Sequence, residues 1–294
     1  MSKRNTRRHR RSKRREKRLR RTRKKAIYGG NPSSETKVFS FHNNFHYGDN
    51  ILNLKFFFNI SEVLKKRGIK IQYYYDDVYN NKKEELERFV NSDTVTLFPL
   101  SAKSGDSVEL WMGTDINGKS YRVFNTYYFR YYTNIVKLLG LTDENIDTSL
   151  YQQEPYLQDI YNGLDPKYKD LDILIINAMP QSGQFNYDKG KMDEMCSHLS
   201  KKYKVAITTC IDDTSIPCTM NDKLMLKDIG AISTHAKYII AIHSGPLTSC
   251  FNKDTKHNVK KWVLFTNDDI SHEDLNCVIL KNDYDLTKIE EHLK

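Results

Sequence analysis

Apolar residues in this chain follow two rhythms that alternate along its length. Residues 37–42 read as a buried strand, and 50–66 as a helix whose Ile51, Leu54, Phe57, Phe58, Val63 and Leu64 form a broad stripe suited to packing on a sheet. Lys65-Lys66-Arg67 complements the carboxyl end of that helix, and Gly68 can take a left-handed cap. Residues 69–75 then alternate as a second strand, so the three segments predict a βαβ unit with parallel strands and a right-handed crossover. A helix over 82–91, a strand over 94–97 and a Tyr-rich helix over 121–139, ended by Gly140, come next. A second series begins near Asp172: strands over 173–176, 204–209, 238–242, 262–265 and 278–280 alternate with helices over 189–202, 225–235 and 286–293. This alternation predicts two α/β lobes with largely parallel sheets, 37–165 and 166–294, hinged near 163–171.

Charge changes the picture at one end only. The net charge of +10 is concentrated in residues 1–25, which hold 16 of the 47 Lys and Arg residues but one of the 37 acids, Glu16. The remainder carries 31 basic against 36 acidic side chains, a net of −5, so a high overall pI does not make the body a nucleic-acid-binding fold. Like charges at that density bury no face, so residues 1–36 are expected to be a disordered Arg/Lys-rich tail and linker. The tail suits a polyanion, whether nucleic acid or an anionic membrane, or an import receptor that would carry the chain to the nucleus. No apolar stretch of signal-peptide or transmembrane type appears. The five cysteines show neither C-x-x-C spacing nor a zinc pattern and are odd in number. They are expected to be reduced, buried small hydrophobes in a cytoplasmic-type protein.

Candidate chemistry sits where two strands run into short polar loops. After the first strand comes Asn43-Asn44-Phe45-His46-Tyr47-Gly48-Asp49-Asn50. Asp49 can cap the following helix, or face a cleft as the general base that takes a proton from an attacking hydroxyl. Gly48 lets the backbone approach a ligand, with Asn44, His46 and Asn50 beside it on the acceptor side. After the strand at 238–242 comes His243-Ser244-Gly245-Pro246-Leu247-Thr248-Ser249, either an ordinary turn or a diphosphate cradle of loop N–H groups and small hydroxyls. Gln181, Ser182 and Lys189, in and after the loop that follows residues 173–176, are further donor-phosphate candidates. Trp111, Tyr127, Tyr128, Tyr131 and Tyr132 offer stacking faces for a sugar, although at helical spacing several must be core. The Asp-x-Asp pairs Asp170/Asp172 and Asp283/Asp285 read as solvated turns, so no metal site is assigned.

These loops together resemble glycosyltransferases of the GT-B fold, nearest to the heptosyltransferase-like family (family nine) and its divergent viral and microbial relatives. Gly48-Asp49-Asn50-Ile51-Leu52 is similar to the Gly-Asp motif after that family's first strand, and residues 226–232 with 238–246 are similar to its later Ser/Thr-Gly motif. Residues 177–191 resemble its donor-phosphate loop. Two positions depart from the pattern: His243 stands where the family has an acid, and Thr248 where it has a His. The resemblance implies two Rossmann-like lobes facing a cleft. It also implies inverting transfer from a nucleotide-sugar co-substrate to a glycan, lipid or protein hydroxyl, with Asp49 as base and no cofactor or metal. Two other readings follow from the residues: a catalytically degenerate, virion-associated or binding protein localised by its arm, and a glycosyltransferase directed at nucleic acid.

Overall fold

The computed structural model describes residues 36–44, 47–77, 83–110, 124–180, 183, 185–267, 272, 274–281 and 283–294, with the side chains of 124–130 and 150 set aside. The tail, His46, Trp111, Gln181 and Ser182, and the side chains of Tyr127 and Tyr128, lie outside the described residues.

The first βαβ unit forms as its periodicity predicts. Strand β1 (Lys37–Asn43) leads through α1 (Tyr47–Asn59) and α2 (Ser61–Lys66) to β2 (Ile69–Tyr75), parallel to β1 from Lys37↔Ile69 to Asn43↔Tyr75. One long helix was expected, and the break falls at Ile60. There the Asn59 amide donates to its own helix at Lys55 O and to Gln153 O, both at 2.8 Å, in competition with the backbone ladder. Gly68 closes α2 with φ +61, the left-handed cap expected of it. Then come α3 (Lys83–Glu87), β3 (Val95–Pro99) and β4 (Val108–Glu109), giving an all-parallel sheet in the order β3-β2-β1-β4. Helix α4 (Phe124–Leu138) stops at Gly140, φ +70, and α5 (Leu157–Gly163) leads toward the second lobe.

The second sheet holds β5 (Ile173–Ile176), β6 (Val205–Ile207), β7 (Tyr238–Ile242), β8 (Lys261–Phe265) and β9 (Cys277–Leu280), all parallel, in the order β6-β5-β7-β8-β9. Its helices are α6 (Lys189–Ser200), α7 (Leu226–Ser233), α8 (Gly245–Ser249), α9 (Lys253–Asn258) and α10 (Leu286–Glu291). Strands β5 and β7 are buried on both faces, as their unbroken apolar runs require. Ile173, Ile175, Ile240 and Ile242 face a core shared with Met192 and Met195 of α6 and Ile289 of α10. Leu174, Ile176, Ile239 and Ala241 face the other way, into a core that also contains Phe41, Ile51 and Phe57 of the first lobe. One apolar interior therefore runs through both lobes.

Polar contacts tie the lobes as well. The Arg88 guanidinium donates to both Asp228 oxygens at 2.8 Å, the Leu226 N–H donates to Glu85 at 3.0 Å, and Lys227 Nζ donates to Arg88 O at 2.9 Å. Within the first lobe, Lys55 of α1 forms a fully buried ion pair with Glu154 at 2.6 Å.

The cysteine expectation is corrected for two of the five. Cys210 and Cys218 form a disulfide with their Cα atoms 5.6 Å apart. The reason is tertiary: Ile207 N donates to Pro217 O and Thr219 N to Ile207 O, so the segment after β6 folds back and sets the two residues side by side. Cys196 and Cys250 are buried free thiols, and Cys277 is a partly exposed one. Among the described residues, no helix is long and apolar enough to cross a membrane.

Candidate active site at the seam between the lobes

Ligands of open parallel sheets bind beyond the carboxyl ends of the strands, where the strand order reverses. In the first sheet that point lies between β1 and β4, in the second between β5 and β7. The β1–α1 loop and the β7–α8 loop therefore occupy the two switch points, and the structure brings them into contact. A Cβ built on Gly48 would lie 3.1 Å from Thr248 Cγ2 and 3.6 Å from Gly245 Cα; one on Gly245 would lie 3.5 Å from Tyr47 Cβ and 3.6 Å from Gly48 N.

Gly48, Asp49 and Asn50 lie within the first turn of α1 rather than in a loop before the helix. The amino end of a helix favours a carboxylate, but burial opposes it. Burial wins, and the half-buried Asp49 carboxyl is pushed up to about 6. Asn50 does not face an acceptor. It is fully buried and its Oδ1 accepts the Tyr73 hydroxyl at 2.9 Å. Asn44 stays at the rim, where its amide donates to Glu109 at 3.1 Å across the end of β4. His42, at the end of β1, is held to Ser107 at 2.8 Å, and its pKa is lowered by burial and by Lys103.

On the facing loop, His243 ends β7 with its N–H on Phe265 O. Its ring lies 5.6 Å from that of His272, whose pKa burial and the neighbouring His243 lower to about 3. Ser244 is extended, and its buried Oγ has no hydrogen-bond partner among the described residues. Pro246 sits in the first turn of α8. The Thr248 hydroxyl donates back to Gly245 O and that of Ser249 to Pro246 O, so both hydrogens are used inside α8. At five residues, α8 supplies only a small dipole, and Ser244 and the loop backbone are what remain of the expected cradle.

The loop after β5 contributes less than its polarity suggests. Asn177 is a staple: its Oδ1 accepts from Thr208 N at 3.1 Å and Thr209 N at 2.8 Å, and its amide donates to Thr209 O at 2.7 Å. Lys189 opens α6 on the surface and pairs with Asp193 one turn on. The Asp-x-Asp pairs have local work: Asp172 pairs with Lys237 at 2.7 Å, Asp285 caps α10, and Asp283 pairs with Lys288 at 2.6 Å. Tyr131 and Tyr132 are core. Sequence reasoning missed Tyr73 and Asn53, although an Asn pair at 50 and 53 in an otherwise apolar helix was a usable signal.

The fold is that of the GT-B heptosyltransferases. The Escherichia coli heptosyltransferase WaaC, solved with ADP-2-deoxy-2-fluoro heptose, superposes with a TM-score of 0.52 over 86% of this chain and 98% of that one, at 10% identity. A glycosyl transferase of family 9 from Veillonella parvula gives a TM-score of 0.44 at 14% identity, covering 89% of this chain and 90% of that one. The iron-containing dodecameric glycosyltransferase TibC of enterotoxigenic E. coli gives 0.44 at 12% identity, covering 83% and 62% respectively. No protein-family model matches the chain, and no curated protein matches it by sequence.

Proposed function

We propose that this protein is an inverting glycosyltransferase that takes a sugar from a nucleoside-diphosphate donor. The observation carrying this reading is the contact of the two switch-point loops at Gly48 and Gly245, which sets Asp49 beside the loop that follows β7. The donor diphosphate would lie over Ser244 and Gly245, with the Ser244 hydroxyl donating to it as charge develops on the leaving group. The acceptor hydroxyl would approach from the first lobe, past Asn44. As its oxygen bonds to the anomeric carbon, its proton passes to the Asp49 carboxylate and the nucleoside diphosphate departs from the opposite face. A carboxyl near 6 is mostly ionised at neutral pH yet more basic than an ordinary aspartate, which is the compromise general-base catalysis needs. WaaC was solved with an ADP-linked sugar, so ADP-sugars are the first donors to try.

The test is a thermal-shift screen of the full chain against nucleoside diphosphates and nucleotide sugars, followed by hydrolysis and transfer assays on any hit. Binding to the native state raises the melting temperature with ligand concentration. A donor that stabilises the protein and is turned over supports the enzyme; stabilisation without turnover favours the degenerate binding protein. Turnover that requires DNA or RNA as acceptor favours the nucleic-acid-directed enzyme.

A further inference from the structure

Beneath Asp49 lies a buried polar cluster that joins α1 to β1, β2 and α4. Tyr73 projects from β2 into the first lobe with its side chain fully buried, donates to Asn50 Oδ1 at 2.9 Å and accepts from Asn53 Nδ2 at 3.2 Å. Asn53 Oδ1 in turn accepts the Tyr131 hydroxyl of α4 at 3.0 Å, and its amide approaches Leu110 O at 3.4 Å. Asn43, at the end of β1, donates to the same Leu110 carbonyl. Asn43, Asn50 and Asn53 are all fully buried. Amides in an apolar core cost desolvation that aliphatic side chains would avoid, and what they give in return is direction.

Direction is what the first turns of α1 otherwise lack. The carboxyl-terminal half of the helix is held by the Lys55–Glu154 pair and by Asn59 on Gln153 O, whereas its first turns pack through Ile51, Leu52 and Leu54, contacts that tolerate a few degrees of rotation. Hydrogen bonds at 50 and 53 remove that freedom. Asp49 lies four residues before Asn53, hence on the same side of the helix one turn earlier.

We propose that Tyr73 is a positioning residue for Asp49: its phenol, bridging Asn50 and Asn53, fixes the rotation of α1 that keeps the Asp49 carboxyl in its half-buried site at the seam. The consequence for transfer rests on the reading of Asp49 as base. Tyr73 is also within electrostatic reach, since the Asp49 charge helps to raise the pKa of the phenol. The other groups facing this turn leave the carboxyl to its surroundings. Helix α8, packed on it from the second lobe, reads Gly-Pro-Leu-Thr-Ser and has no titratable side chain. Tyr47 of the same turn, Tyr131 of α4, Tyr151 of the turn packed along α1 and His243 ahead of α8 are the other titratable groups on the elements packed here, and burial with Lys103 nearby favours the neutral ring of His42 on β1.

The experiment follows the Asp49 carboxyl by carbon-13 NMR in full-length protein, assigned with Asp49→Asn, alongside the pH profile of kcat/KM for transfer. In the wild type both should report a group near 6. In Tyr73→Phe the resonance should titrate roughly one to two pH units lower, toward the ordinary carboxylate range, and the acidic limb of the rate profile should move with it. Tyr131→Phe, which unties the far end of the cluster, should give a smaller shift of the same sign and serves if Tyr73→Phe does not fold. A folded variant of either kind whose Asp49 still titrates at the wild-type position overturns the proposal. A shifted resonance together with wild-type transfer by Asp49→Asn keeps the Tyr73–Asp49 coupling and removes the base.

Discussion

Gly48 and Gly245 meet backbone to backbone, one from each lobe: a Cβ on Gly48 would stand 3.6 Å from Gly245 Cα, and a Cβ on Gly245 3.6 Å from Gly48 N. Neither residue has positive φ, so closeness rather than chain conformation is what asks for glycine here. Gly245→Ala adds a methyl in ordinary contact and should fold with nucleotide affinity near that of the wild type. Gly245→Val adds branches at a seam already closed, and should cost about 1–3 kcal/mol of stability and most nucleoside-diphosphate binding. Gly48→Ala meets the Thr248 methyl at 3.1 Å, and Thr248→Ser, which removes that methyl, should restore part of its loss. Chemical denaturation and titration calorimetry on the four single variants and the Gly48→Ala, Thr248→Ser double variant check this; additive effects of Gly48→Ala and Thr248→Ser would deny the contact.

Asp49→Asn should lower transfer by roughly 10²-fold or more while stabilising the protein at neutral pH. The sign follows from the raised carboxyl. An acid pushed up to about 6 in the folded state contributes stability that is fully present below its unfolded value, and loses it as pH rises through 6. Wild type and variant should therefore melt together near pH 4 and separate by pH 7, the variant ahead by on the order of 1–2 kcal/mol once partial exposure is allowed for. Melting curves across that range check it, and a constant gap would mean that Asp49 does not carry the shift.

Lys55 and Glu154 are both buried, so removing one strands the other. Lys55→Met should destabilise by about 3–5 kcal/mol, whereas Lys55→Met with Glu154→Leu should recover most of that loss. Urea denaturation of the two variants separates a required ion pair from one that apolar packing can replace.

Unfolded without reductant, the chain should show three titratable thiols of its five cysteines, because Cys210 and Cys218 are joined. Five thiols would refute the bond. Cys210→Ser should cost roughly 2–3 kcal/mol, the scale expected for a loop this short.

Removal of residues 1–25 should leave the melting temperature and transfer to small acceptors unchanged and abolish salt-dependent retention on a polyanion column. The segment holds 11 of the chain's 15 arginines but 5 of its 32 lysines, and the Arg fork matches phosphate in two bonds where Lys offers a point charge. RNA should therefore compete for the full chain better than carboxylate polyanions of equal charge; equal competition would reduce the arm to a simple cation.

The strands were the legible part of this chain. Residues 238–242 and 173–176 are apolar throughout, and β7 and β5 occupy those residues. Strand β4 was invisible because it has two residues, both exposed, and exists through pairing with Phe41 and His42. The start of α1 was read too late, since Gly48-Asp49 has the composition of a turn; within the helix a glycine suits this position because Thr248 of the other lobe leaves little room for a side chain. Composition located the two polar loops, but not which hydroxyls were already committed. Thr248 and Ser249 look equivalent to Ser244 until α8 turns their hydrogens inward. Alternation placed residues 69–75 in a strand, and only the fold reveals that Tyr73 is buried there and what its hydroxyl binds.

The interior shared by Phe41, Ile51 and Phe57 with Leu174, Ile239 and Trp262 bears on how the molecule comes apart. Two sheets usually suggest two units that can be expressed, melted and exchanged separately. Here neither half closes its own oil-filled side, so a chain severed near residue 165 would yield two sticky fragments instead of two small proteins. Heat should find a single calorimetric peak, and swapping in a foreign second lobe would demand recutting the face it rests on.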